Sequence, residues 1–251
     1  MKNSLVSDLS HVLREMHGMK MLLHVGLKRN SAKGKIDLLA GCDEGSIEKY
    51  SHLIKALLVD RWPTGNFFVC DDSIRFDLPT GSGGVAVCDS ALLVRQVEEW
   101  IASRNLGGQH RPWATGYWLP EALCGDLATA ETLYDVTDIS VRLRKLLVPY
   151  PTRLSESIIK LCTDEIRQKI STLEKLHENA TIERELCLSD VTASVVRIAF
   201  ARSRRYFRGF RSLEQQAKLL RSSDHALYKL ALRLSMRERV ENVVSEIERL
   251  L

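Results

Sequence analysis

A change of periodicity near residue 110 constrains this chain more than any other feature. Before it, helical and strand-like patterns alternate; after it, helical periods alone recur. The spacing of Leu5, Val6, Leu9, Val12, Leu13 and Met16 predicts a helix over Ser4–His17, stopped by Gly18. Met21–Val25 and Ile36–Ala40 read as short buried strands, joined by a basic loop. Ser46–Arg61 is helical, with Ile47, Tyr50, Leu53, Ile54, Leu57 and Leu58 on one face. Phe67–Cys70, Ser73–Leu78 and Val85–Cys88 read as strands, Pro79–Gly84 as a glycine-rich turn, and Ala91–Ser103 as a helix. From residue 112 the candidates are helices at Tyr117–Tyr134, Asp138–Leu147, Thr152–Lys175, Ile182–Gly209, Leu213–Leu220 and about Ser223 to Leu251. The expected class is α+β: a mixed sheet with helices over residues 1–110, then a helical domain over 111–251.

Composition narrows the function classes. Of 251 residues, 45% are apolar and 27% charged, which excludes a disordered or fibrous chain. No apolar run approaches the roughly 18 residues of a membrane span, and Met1–Asp8 lacks the apolar centre of a signal peptide. The six cysteines form no C-x-x-C, so reduced thiols and a cytoplasmic location are expected. The seven histidines contain no H-E-x-x-H, and no metal site is expected from spacing. The net charge of +4 is concentrated in the loop Lys28–Lys35 and in the stretch Arg197–Arg221. The rest is nearly balanced, which argues against nucleic acid as the partner.

The first region runs helix, strand, Gly26, strand with Asp37, helix, hairpin strands, strand Val85–Asp89, and a helix with Glu98-Glu99-Trp100. Later come Tyr117-Trp118-Leu119 through Leu133-Tyr134-Asp135, then Val148-Pro149-Tyr150-Pro151, then Ile198–Gly209. This order resembles the nucleotidyltransferase superfamily, in the branch of kanamycin nucleotidyltransferase. The resemblance implies a strand ending in Gly-Ser, a next strand carrying Asp-x-Asp, and a third carboxylate on a later strand. In that family these carboxylates hold two Mg²⁺ ions against the triphosphate, and the Gly-Ser turn holds its phosphates.

The chain departs from the pattern at the site itself. Leu27 follows Gly26 where the family has serine, and the loop to Asp37 is shorter. Asp-x-Asp aligns with Lys35-Ile36-Asp37, and the third carboxylate falls on Ala86. Asp37 is thus the remaining catalytic candidate. A lysine in place of aspartate turns attraction for a cation into repulsion; two unit charges at 4 Å and an effective dielectric of 20 interact by about 4 kcal/mol. Lys35 would instead neutralise phosphate directly, with Gly26 and Lys28 as neighbouring binding residues. Alternatively a carboxylate among Asp43, Glu44, Asp71, Asp72, Asp77 and Asp89 completes a Mg²⁺ site. The sequence requires no cofactor, and Mg²⁺ enters only with that alternative.

Three further features bear on binding. Arg197, Arg204, Arg208 and Arg211 share one face if their segment is a continuous helix. The resemblance places that face toward an interdomain cleft, where arginines would hold phosphate or carboxylate. Trp113 and Tyr117 belong to the densest aromatic stretch, at the expected domain junction. Leu230–Leu251 is amphipathic, packing on its own domain or pairing with a second copy. Together these features predict a nucleotidyltransferase-like protein with an eroded two-metal site. It would bind a nucleotide or another anionic small molecule, as a repurposed enzyme of small-molecule metabolism. The alternatives are an active Mg²⁺-dependent transferase acting on a small-molecule hydroxyl, and a non-catalytic binding or regulatory subunit.

Overall fold

The computed structural model describes residues 2–25, 36–43, 47–70, 72–104, 106, 119–177, 179–210, 213–236, 245–247 and 249. The chain forms two compact units: Met1–Trp100 with Gln109–Pro149, and Ile101–Gly108 with Tyr150–Leu251. The class is α+β, as the alternating and then helical patterns predict.

In the first unit the strands are β1 (Met19–Val25), β2 (Ile36–Cys42), β3 (Asn66–Cys70), β4 (Ser73–Leu78), β5 (Gly81–Asp89) and β6 (Glu131–Asp135). The helices are α1 (Lys2–Arg14), α2 (Ile47–Arg61), α3 (Ser90–Ile101), α4 (Pro120–Thr129) and α5 (Ile139–Leu147). The strands make one mixed sheet in the order β3-β4-β5-β2-β1-β6. β2 and β5 run parallel, and the other neighbours are antiparallel. Alternation sends Ile36, Leu38, Ala40, Val85 and Val87 to one face, where they pack with Leu5, Leu9 and Leu13 of α1 and Ile54 and Leu58 of α2. Leu5, Leu9 and Leu13 stand at helical spacing, and each such leucine taken out of water contributes about 1.5–3 kcal/mol. The opposite face carries Asp37, Leu39 and Gly41, and α4 and α5 approach it along β1.

The structure differs from the sequence reading in this unit at two places. The expected helix Tyr117–Tyr134 stops at Thr129, and residues 131–135 pair with β1 as a sixth strand. Thr132 and Tyr134 favour the extended chain, and Asp135 then caps α5 by accepting from the N–H groups of Ile139 and Ser140. The first unit accordingly reaches Pro149, where the sequence pattern suggested a boundary at 110. The expected turn Pro79–Gly84 is strand from Gly81 onward.

The second unit holds α6 (Thr152–Lys175), α7 (Thr181–Arg202), α8 (Leu213–Ala217) and α9 (Asp224–Ser235). α6 buries Leu154, Ile158, Cys162, Ile166 and Ile170, one residue every turn, against α7, which packs in turn on α9. α7 ends at Arg202, short of the expected Gly209. The N–H of Arg204 donates to the carbonyl of Ala201, and that of Arg205 to Phe200, with Arg204 at φ 51°. This is a Schellman ending with arginine in the place that favours glycine. The expected terminal helix from Ser223 ends its first stretch at Ser235; residues 245–247 are helical again, with Ile247 buried. Among the described residues, no helix is long and apolar enough to cross a membrane.

Candidate functional site around Asp37

Asp37 lies near the start of β2, half-buried, opposite Val25 of β1 and beside Gly84 of β5. The connection 26–35 joins those two strand ends. Gly83, one residue before, allows β5 to approach: a Cβ there would stand 1.9 Å from the carbonyl oxygen of Ile36. Gly84 is opposite Arg75 of β4 as well as beside Asp37. Asp37, Gly84 and Arg75 therefore form one row across three strands on one face, with no side chain in the middle. Strand spacing puts the ends of the row about 10 Å apart, within reach of an arginine. Arg75 is exposed and makes no ion pair among the described residues.

The next row on that face is Leu39, Ala86 and Ser73. Ala86, where the resemblance implies a third carboxylate, thus lies on the same face as Asp37, one alternation further along. It is buried and apolar. The alternative carboxylates lie elsewhere. Asp43 pairs with Lys20 at 3.1 Å, and Asp89 caps α3 through the N–H groups of Ala91 and Leu92. Both sit beyond the other end of β2, where Cys42 is beside Asp89. Asp77 is two strands away beside Ser82, and Asp72 precedes β4, its carbonyl accepting from Val87. Glu44 and Asp71 lie outside the described residues.

A carboxyl that the sequence reading passed over does reach this face. Asp126 of α4 is fully buried, and its pKa is pushed up to about 8, first by burial and second by the charge of Asp37. Asp126 therefore keeps its proton at neutral pH, and a protonated carboxyl can donate a hydrogen bond. The signal was available: Glu121 and Asp126 stand in an otherwise apolar helix in which residues 120–128 are all buried. Burial and Glu121 also push up the thiol of Cys124, which makes it a poor nucleophile. Among the described residues, no group of three His, Cys, Asp or Glu side chains assembles that could hold a metal ion.

Of the other candidates, Gly26, Lys28, Lys35, Trp113, Tyr117 and Arg211 lie outside the described residues. Arg204 and Arg208 belong to the second unit and follow the end of α7, so they do not extend the helix face of Arg197. Arg197 is buried, 3.5 Å from Glu165. Arg204 is exposed. Arg208 is partly buried, and burial lowers its guanidinium to about 10, while its backbone N–H donates to Gln216.

No protein-family model matches the chain. No curated protein matches it. Among solved structures, it is similar to a nucleotidyltransferase-like protein from Exiguobacterium sibiricum 255-15, at 14% identity and a TM-score of 0.48, over 100% of this chain and 74% of that one.

Proposed function

We propose that this chain is a nucleotidyltransferase-like protein with an eroded two-metal site, which binds a nucleotide or another anionic small molecule at the Asp37 end of the sheet. It acts as a repurposed enzyme of small-molecule metabolism. The observation that carries this reading is the row Asp37–Gly84–Arg75, open at the glycine, with the buried carboxyl of Asp126 in electrostatic reach of Asp37. Arg75 offers a guanidinium fork to phosphate or carboxylate oxygens, and Asp126 offers a proton. Lys28 and Lys35, in the connection between β1 and β2, add cations where the family would use metal. Trp113 and Tyr117 supply planar surfaces for a base. Asp37 positions or deprotonates the acceptor group.

Thermal unfolding with ATP, GTP, CTP and UTP, each with and without Mg²⁺, tests the reading. A triphosphate at 100 times its Kd should add about 2.7 kcal/mol, which raises Tm by roughly 5–10 °C in a chain of this size. The rise should appear without Mg²⁺ and fall away in Arg75→Ala and Lys35→Ala. Strict dependence on Mg²⁺ would overturn the substitution of side-chain cations for metal, and would favour an active transferase. No rise with any triphosphate would overturn the nucleotide ligand, and would favour a non-catalytic binding subunit.

A further inference from the structure

The far end of β2 carries a cavity. β2 and β5 are parallel neighbours, and each runs into a helix. α2, after β2, packs on the face of Leu38 and Val85 through Ile54 and Leu58. α3, after β5, starts on the other face: a Cβ on Gly41 would stand 2.7 Å from the hydroxyl of Ser90. Two adjacent parallel strands whose helices leave to opposite faces open a crevice at their carboxyl ends, which is where open sheets bind ligands. Such a crevice is present here, with a volume of about 540 Å³. That is the size of a small-molecule site. Asp37 and Cys42 mark opposite ends of β2, about 16 Å apart, so this cavity is separate from the row around Asp37.

The chemistry of its walls selects a ligand. Lys20 pairs with Asp43 at 3.1 Å on one side, and Arg142 of α5 pairs with Glu98 of α3 at 2.5 Å on the other. Arg95 also lines the cavity and makes no ion pair among the described residues. Two matched pairs and one unmatched guanidinium leave the cavity one positive charge in excess, and a guanidinium can only donate. Val94 and Ile139 give the cavity an apolar floor. The Cys42 thiol borders it too, but burial, Asp43 and Asp89 push its pKa up to about 12, so it adds no anion and no nucleophile.

We infer that this cavity is a second ligand site, for a small organic molecule with one anionic head, a carboxylate or a phosphate ester, and an apolar body. Arg95 holds the head by charge-assisted hydrogen bonds, and Val94 and Ile139 receive the body.

Titration of benzoate, phenyl phosphate and inorganic phosphate into the full chain, followed by amide NMR shifts, tests this. Benzoate or phenyl phosphate should give saturable shifts at Ala91–Arg95 and Ile139–Arg142. The tighter of the two identifies the head as carboxylate or phosphate ester. Arg95→Gln should weaken binding by about tenfold or more, the usual worth of a hydrogen bond to a charged group. Ala91→Trp, at an exposed position on the cavity wall, should abolish binding by filling the space. Asp37→Asn and Arg75→Ala should leave it unchanged, which separates this site from the one proposed above. The inference is overturned if neither organic probe saturates, if Arg95→Gln binds as tightly as the parent, or if inorganic phosphate binds as well as phenyl phosphate.

Discussion

Replacing Asp126 by asparagine should remove a pH dependence of stability that the parent chain carries. An aspartate in the unfolded chain titrates near 3.9, and Asp126 in the folded chain titrates near 8. Between those values the folded state holds a proton that the unfolded state has lost. The contribution of Asp126 is therefore fully favourable below pH 4 and declines as pH rises. It reaches its floor above pH 8, where a charged carboxylate must remain buried. The slope in the interval is about 1.4 kcal/mol per pH unit at most, so the whole change is on the order of 5 kcal/mol. That is comparable to the total stability of many domains. Asp126→Asn keeps the shape and polarity and cannot ionise. Urea denaturation at half-unit steps from pH 5 to pH 8.5, on parent and variant, measures the difference directly. The expected result is a parent midpoint that falls with pH relative to the variant, with the two m-values equal. Parallel profiles would refute the argument: Asp126 would then be ionised in the fold, held by a cation or open to water, and could not donate to a ligand.

Four further outcomes follow from the same structure. Arg204→Gly should raise stability by about 1 kcal/mol, since φ 51° costs an arginine what glycine avoids, and a raised midpoint in denaturant checks it. Gly83→Ala should lower stability by about 2 kcal/mol or more, because its Cβ meets the Ile36 carbonyl rather than a movable side chain. It should also weaken any ligand bound at Asp37, read by the triphosphate thermal shift. Ser203→Ala should cost about 1–3 kcal/mol by calorimetry, since the buried hydroxyl donates to Asp224 at 2.6 Å and accepts from the N–H of Arg221 at 3.0 Å. Lys35→Asp with Ala86→Asp should create Mg²⁺ affinity, seen as a Mg²⁺-dependent rise in Tm. No rise would mean that the Asp-x-Asp alignment is misplaced.

The elements that sequence periodicity resolves best are those with a single dominant face. α6 spans Thr152–Lys175 in sequence pattern and in structure alike, because its apolar residues recur every fourth position. β6 escaped because Glu131–Asp135 is short, and its reason for being extended is β1, more than a hundred residues earlier. The end of α7 escaped because Arg204 occupies a left-handed position that glycine would have announced. Around Asp37 the strand carrying it was legible as the short buried run Ile36–Ala40, and Ala86 entered through the family resemblance. Asp126 and Arg75 were not legible, because each reaches the face of Asp37 through a separate element, and neighbours across a sheet leave no trace in linear spacing. The cavity by Arg95 was hidden for the same reason.

The pairing of β1 with β6 also governs the order in which the first unit can be completed. Met21 is opposite Asp135, so one edge of β1 waits for the chain to be made well past residue 130. By then residues 101–108, which belong to the second unit, have already been made. Until β6 arrives, β1 exposes a row of unpaired N–H and C=O groups along an apolar strand, a template for pairing with another chain. A fragment ended at residue 110 would keep that edge open permanently and should aggregate. One ended after Pro149 closes it. During synthesis the same interval is where this protein is most exposed to misassociation, and where a chaperone would have the most to do.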